Sequence, residues 1–377
     1  MTVKIARVEA ICLRDPKAGY YRFEGSYQNV VVLVHGDNGL IGIGESDAPP
    51  GVIKAIVEMP TYNSLAVGLA QIVIGQMIDD PRRLWQEMLA RTQWFGRHGV
   101  TIHAISAVDI AIWDLFAQSE GKPLHEVLGV KRHDRLPAYA TIYPLEDEAG
   151  GITRQVTPLL ERGFRSLKVC VDPWWSDAEL VRRNLRHLRD LVGPDRGLML
   201  DVAQEFERFE QLAPFLPVLE ELAFSWIEAP FPLDNIVDHV RLKSETSIPI
   251  AVGDLGMTTC KEFVPYINAN AFDIAQPDLT MFGGFSEVQR LAAMLAPSGR
   301  RIYPHGYNTD LTIAANLHFV STLHDGGLIE YTTSPSRLRR ELVQGLGPIG
   351  DDGMIEVPNG PGLGVKLDER LVNELRE

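Results

Sequence analysis

The chain has 377 residues, 45% of them hydrophobic, enough for one large domain or two of ordinary size and too apolar for a disordered chain. Its formal charge of −14 leaves no basic face for phosphates, which excludes nucleic acid and anionic membranes as expected partners. Three widely spaced cysteines, Cys12, Cys170 and Cys260, show neither pairing nor zinc-ribbon spacing. With a charged, alternating first segment and no run of about 18 apolar residues, this predicts a cytoplasmic protein without disulfides.

The first elements read as strands. Residues 3–12 largely alternate apolar and polar, and residues 29–46 are two apolar runs joined by Asp37-Asn38-Gly39, a hairpin signal. From about residue 66 to 128 the period turns helical. Ile105, Val108, Ile112 and Leu115 or Phe116 share one face, and Gly121-Lys122-Pro123 precedes a second, short helix. The first third, residues 1–130, is therefore an α+β unit, ending in a polar, basic stretch between Gly129 and Leu136. After Pro137 the texture repeats: PAYATIY, RSLKVCVD, GLMLD, SWIEAP, PIAVGD, FDIAQPD, RIYPH and LIEY alternate with amphipathic stretches. Eight such runs predict parallel strands with helical crossovers that close into a barrel. An open doubly wound sheet is the alternative, but no GxGxxG follows any of these runs and no GxxxxGK[ST] occurs.

Ionisable residues end these runs with regularity. Asp201, Glu228, Asp254, Asp278, His305 and Glu330 each close one run, 24 to 27 residues apart, and Lys168 lies one unit earlier. One group per βα unit, at the carboxyl end of its strand, puts all of them on one rim, the active-site face of a barrel. A single acid ending a strand usually caps a helix or meets water, but five acids and a histidine in six consecutive units are not explained that way. Acids converging on one mouth repel one another unless a hard cation joins them, and three carboxylates on Asp201, Glu228 and Asp254 suit Mg²⁺. Zinc is disfavoured by the lack of a Cys/His cluster. His305 and Asp278, on neighbouring strands, read as a base and its orienter. Glu330 is expected to be a hydrogen-bond donor or acceptor at a substrate carboxylate; the donor role requires it protonated, which burial among like charges would favour.

These residues, together with GVTIHAISAVDIAIWDLFAQSEGKPLHEVLG, GFRSLKV, WIEAP, PDLTMFGG and GPGLGVKLDE, resemble the enolase superfamily, mandelate racemase subgroup, over essentially the whole length. The resemblance implies an α/β fold: an α+β capping domain (1–130), a (β/α)7β TIM-like barrel (131–345) and a C-terminal segment (346–377) returning to the cap. It implies Mg²⁺ on Asp201, Glu228 and Asp254, and abstraction of the proton α to a carboxylate with the metal stabilising the enediolate. It also implies a small carboxylate substrate, an aldonic or aldaric acid, and a homo-oligomer between dimer and octamer.

Several positions depart from the family. Lys168-Val169-Cys170 stands where many members carry Lys-x-Lys, so the base for the second face of the substrate is missing and a racemase is disfavoured. Members with the His-Asp dyad and without that lysine are similar to sugar-acid dehydratases, in which one histidine removes the α-proton and helps expel the β-hydroxyl. That is the expected reaction, with Lys168 near the substrate carboxylate. A racemase, epimerase or cycloisomerase is the alternative, and a non-catalytic anion-binding barrel a third, prompted by Ala203 where asparagine is common and Ala229 where a second glutamate is common. Asp254 is a methylene shorter than the frequent glutamate. Tyr20, Tyr21 and Arg22 in a cap loop, Tyr143 at the end of the first barrel run and Cys170 on the second are candidate substrate contacts. Cys170 also reads as a packing residue, and Trp174 and Trp175 are candidates for walling the pocket.

Overall fold

The computed structural model describes residues 3–18, 27–170, 175–254 and 256–377. Strands β1 (Val3–Arg14), β2 (Gln28–Gly36), β3 (Ile41–Ser46) and β4 (Met77–Ile78) make an antiparallel sheet in the order β3-β2-β1-β4. The Asp37-Asn38-Gly39 turn joins β2 to β3, with Gly39 at φ +83°, a left-handed conformation that favours glycine. Helix Val100–Ser119 packs across this sheet. The approach is close because β3 carries Gly42 and Gly44: a Cβ there would lie 1.9 Å from the Ala111 carbonyl oxygen and 2.1 Å from that of Ala107. That helix is long and apolar enough to cross a membrane by composition, but it is apolar all round because it is buried all round, inside the cap and against the barrel.

The eight runs after Pro137 are eight parallel strands. They are β5 (Arg135–Ile142), β6 (Ser166–Cys170), β7 (Gly197–Asp201), β8 (Ile227–Glu228), β9 (Ile250–Val252), β10 (Ile274–Ala275), β11 (Arg301–Ile302) and β12 (Ile329–Thr332). They pair in sequence order from β5 to β11, and β12 pairs back onto β5. The sheet is thus curled into a TIM-like barrel whose seam lies between β11 and β12, where among the described residues no backbone ladder forms. Inward-facing Tyr139, Met199, Trp226, Ala251 and Ile274 fill the barrel floor, and a larger apolar layer packs the strands against the surrounding helices.

After β12 come β13 (Val343–Gln344), β14 (Met354–Glu356), which pairs antiparallel with β5, and β15 (Lys366–Leu367), which pairs with β13. This tail reaches the cap. The Leu363 N–H donates to Asp114 Oδ1 at 2.8 Å and the Glu377 N–H to the Cys12 carbonyl at 3.0 Å. None of the three cysteines is disulfide-bonded.

Candidate active site

Parallel register sets the depth of each group at the barrel mouth. Cys170, Asp201 and Glu228 are register neighbours at one level, each the last residue of its strand. Asp254, Asp278 and His305 follow the ends of β9, β10 and β11. Lys168 and Glu330 sit deeper. Lys168 is level with Thr141 on β5, and Glu330 is not at its strand's end but inside β12, level with Tyr139.

Oxygen atoms of Asp201, Glu228 and Asp254 all lie within 4.8 Å of one another, close enough for one ion to touch all three. The donor set is all carboxylate, which fits a hard divalent cation. The charge balance fits it too. Lys168, 1% exposed, is the counter-charge at hand: its ammonium lies 2.9 Å from Glu330 Oε1 and 3.4 Å from Asp201 Oδ2, and it also donates to Glu228 Oε1. Burial opposes its charge, but Glu228 and Glu330 hold its pKa well above the ordinary lysine value. One ammonium does not satisfy this cluster. Burial pushes the Glu228 carboxyl up to about 8 against the pull of Lys168, and Asp201, Asp254 and Glu330 push it further in the same direction.

His305 Nδ1 lies 2.6 Å from Asp278 Oδ2, and its Nε2 lies 4.0 Å from Glu330 Oε2. Burial pulls the imidazole down, but the Glu330 and Asp278 carboxylates outweigh it and raise its pKa to about 10. For Glu330 the surroundings favour the acceptor role of the two expected. Burial favours its neutral form, yet Lys168, His305 and the Thr141 hydroxyl hold its pKa down to about 2. Its oxygens accept from Thr141 Oγ1 at 2.5 Å, the Gly306 N–H at 3.0 Å and Lys168, a set of donors that suits an ionised acceptor. The Gly306 bond also ties the two strands across the barrel seam.

Of these groups Lys168, Asp201, Asp254 and His305 open into a cavity of about 230 Å³, lined also by Asp47 from the cap and by Tyr143 and Cys170, while Glu228, Asp278 and Glu330 lie behind them. Tyr143 alone also lines a larger hollow of about 550 Å³ beside β5 and β12 that holds none of the ionisable groups above. Tyr20, Tyr21, Arg22 and Trp174 lie outside the described residues. Trp175 is not among the residues lining either cavity: it is buried against Phe206 and Phe215, ring centroids 4.8 and 5.0 Å away, and packs a loop onto the helical layer.

A family model described as the enolase C-terminal domain-like fold matches residues 151–371, and one described as the mandelate racemase / muconate lactonizing enzyme N-terminal domain matches residues 22–129. The chain belongs to the enolase superfamily, in its mandelate racemase group. Among curated relatives it is 26% identical to the D-galactarolactone cycloisomerase of Agrobacterium fabrum, over 92% of this chain and 91% of that one. It is 28% identical to the L-rhamnonate dehydratase of Saccharopolyspora erythraea, over 96% and 90% respectively. Its fold matches the crystal structure of the 3,6-anhydro-D-galactonate cycloisomerase of Zobellia galactanivorans with a TM-score of 0.89 at 26% identity, covering 99% of each chain.

Two residues that sequence reasoning passed over give this superfamily member its Glu228 geometry. Trp226 Nε1 and Gln276 Nε2 donate to Glu228 Oε2 at 2.9 and 2.7 Å. Both were readable in principle, since each stands two residues before a rim acid and a strand's period of two turns it to the same inward face. The alanines that depart from the family share another trait. Ala203 and Ala229 have φ of 50° and 43°, a left-handed conformation that asparagine adopts more readily than alanine. Both lie beside acids of the carboxylate triad.

Proposed function

We propose that this enzyme is a Mg²⁺-dependent sugar-acid dehydratase, with the ion on Asp201, Glu228 and Asp254 and His305 as its base. The observation that carries the reading is the pairing of His305 with Asp278 at 2.6 Å beside an all-carboxylate triad, two of whose members, Asp201 and Asp254, line the same small cavity as His305. The ion supplies positive charge to the substrate carboxylate as its α-carbon becomes nucleophilic. Everything else falls to side chains. The Lys168 ammonium, lining the cavity, attracts the same carboxylate. Without the ion the surrounding carboxylates hold the His305 imidazole protonated; the charge of a bound ion would lower its pKa again, and with Asp278 holding the Nδ1 proton, Nε2 is then the nitrogen that accepts the α-proton. The C–O bond at the β-carbon then breaks, the leaving hydroxide takes the proton that the imidazolium carries, and the enol left behind becomes a 2-keto-3-deoxy acid. Lys168 is committed to three carboxylates and Cys170 stands where a second lysine would, so among the described residues lining the cavity His305 is the one imidazole or amine left as a base, which favours elimination over racemisation.

A second reading is a ring-opening isomerase. The two relatives named as cycloisomerases, each aligned over more than nine-tenths of both chains, favour it. The proton step is shared, and the leaving oxygen stays tethered to the product. One screen separates them. Open-chain aldonic and aldaric acids, their lactones and their anhydro acids are incubated with protein and Mg²⁺, ketone is trapped with semicarbazide, and product mass is recorded. Loss of one water supports the dehydratase; unchanged mass with a new ketone supports the isomerase. No ketone from any substrate, with His305→Asn indistinguishable from the parent, would overturn both and leave the anion-binding barrel.

A further inference from the structure

The proposed dyad is held from outside the barrel, by three consecutive residues of the cap. Asp278 Oδ2 faces His305, and Asp278 Oδ1 accepts two bonds from Thr280, from its N–H at 2.7 Å and its hydroxyl at 2.6 Å. Thr280 is in turn fixed by the end of β3. Ser46 Oγ donates to the Thr280 carbonyl at 3.0 Å, and the Asp47 N–H donates to Thr280 Oγ1 at 3.2 Å. Because the Thr280 hydroxyl accepts from the cap, its own proton is directed at Asp278. The His305 side is fixed from the preceding residue of the same strand. Glu45, fully buried, accepts from Thr309 Oγ1 at 2.8 Å, the Thr312 N–H at 2.9 Å and the Thr312 hydroxyl at 2.5 Å. Those residues begin helix Asp310–Val320, whose Asn316 Nδ2 donates to the His305 carbonyl at 3.0 Å.

We propose that Glu45-Ser46-Asp47 is a brace by which the cap positions the Asp278–His305 pair, and that Thr280 is its positioning residue. The proposal rests on the dyad's role as base. Its physical content is that a two-donor clamp on Oδ1 leaves the carboxylate one orientation, with Oδ2 toward Nδ1, so misplacement of the cap edge becomes misplacement of the base. The test compares Thr280→Val, which deletes the hydroxyl, with Thr280→Ser, which keeps it. In Mg²⁺-loaded protein the downfield proton resonance of His305 Nδ1–H, assigned by its absence in Asp278→Asn, needs no substrate. It is expected to be lost or shifted upfield in Thr280→Val and retained in Thr280→Ser. With a substrate from the screen, kcat should fall about 10- to 100-fold in Thr280→Val with KM little changed, and Thr280→Ser should recover it. Ser46→Ala, which removes only the outer bond, should move both readouts the same way by less, and it carries the test should Thr280→Val not fold. A wild-type resonance and kcat in Thr280→Val or, where that variant does not fold, in Ser46→Ala would overturn the brace. Loss of both in Thr280→Ser as well would reduce Thr280 to packing. An altered resonance in a protein that dehydrates nothing would sink the functional reading and leave the brace standing.

Discussion

Replacing Asp278 with asparagine separates orientation from packing, because the outcome is decided by a donor that cannot turn. The Thr280 N–H, 2.7 Å from Asp278 Oδ1, can only donate, so an amide at 278 must keep its oxygen there and turn its NH2 toward His305. In the neutral ring Nδ1 of His305 then has to accept, which puts the proton on Nε2, the nitrogen that the reaction needs bare. The same change removes a carboxylate 2.6 Å from the ring. In the parent, His305 is raised from 6.5 to about 10, a preference for imidazolium of roughly 5 kcal/mol. An opposite charge at this range accounts for about 1 to 3 units of such a shift. Asp278→Asn is therefore expected to lower the His305 pKa by about 1 to 3 units, read from its ring-carbon shifts against pH. It should also cost about 10³- to 10⁴-fold in kcat, as a wrong tautomer does in other histidine-dependent enzymes, with Mg²⁺ affinity and melting temperature near the parent's. Activity within tenfold of the parent, or an unmoved pKa, would refute the reasoning.

Two further outcomes follow from groups around the site. Gln276→Leu takes one of the two neutral donors from Glu228 Oε2 and should weaken Mg²⁺ binding about 10- to 100-fold by titration calorimetry while leaving the fold intact; unchanged affinity would dismiss Gln276 as a support of the ligand. His318 is buried, donates from Nε2 to the Leu363 carbonyl at 3.0 Å, and stacks on His125. Burial pulls its pKa from 6.5 down to about 3. The unfolded chain thus takes up a proton first as pH falls, and stability present above about 6.5 drains at ~1.4 kcal/mol per pH unit, ~2 kcal/mol by pH 5. In His318→Gln the decline in urea midpoint between pH 7 and 5 should be shallower; an identical slope would place the acid sensitivity elsewhere.

Much of this architecture was legible because the barrel repeats one rule. Each βα unit spends its inward positions on the core and a position at or near the strand's end on the mouth, so eight apolar runs revealed the strand count and the regular spacing of ionisable groups revealed the rim. Through-space neighbours were not legible. That Glu330 is ionised follows from Lys168, Thr141 and Gly306, on three other segments, meeting its oxygens. That Trp175 turns from the mouth depends on Phe206 and Phe215 offering it an apolar seat, which no periodicity in its own short loop announces. The brace on Asp278 joins positions more than 230 residues apart.

The charges at the mouth also dictate an order of events. Asp201, Glu228, Asp254, Asp278 and Glu330 are five carboxyl groups facing two cationic side chains, Lys168 and His305. A sugar acid entering this surplus meets repulsion that the low polarity of the barrel floor strengthens, whereas a dication reverses most of it. Ion and substrate are therefore coupled, and coupling is reciprocal: each should raise the affinity of the other by the same factor. Calorimetric titration of a true substrate into chelator-treated His305→Asn protein, which cannot turn it over, should give no measurable binding, and added Mg²⁺ should restore it. Equal substrate affinity with and without the ion would mean that the triad does not govern the anion site, and the reading of Asp201, Glu228 and Asp254 as its metal seat would fall.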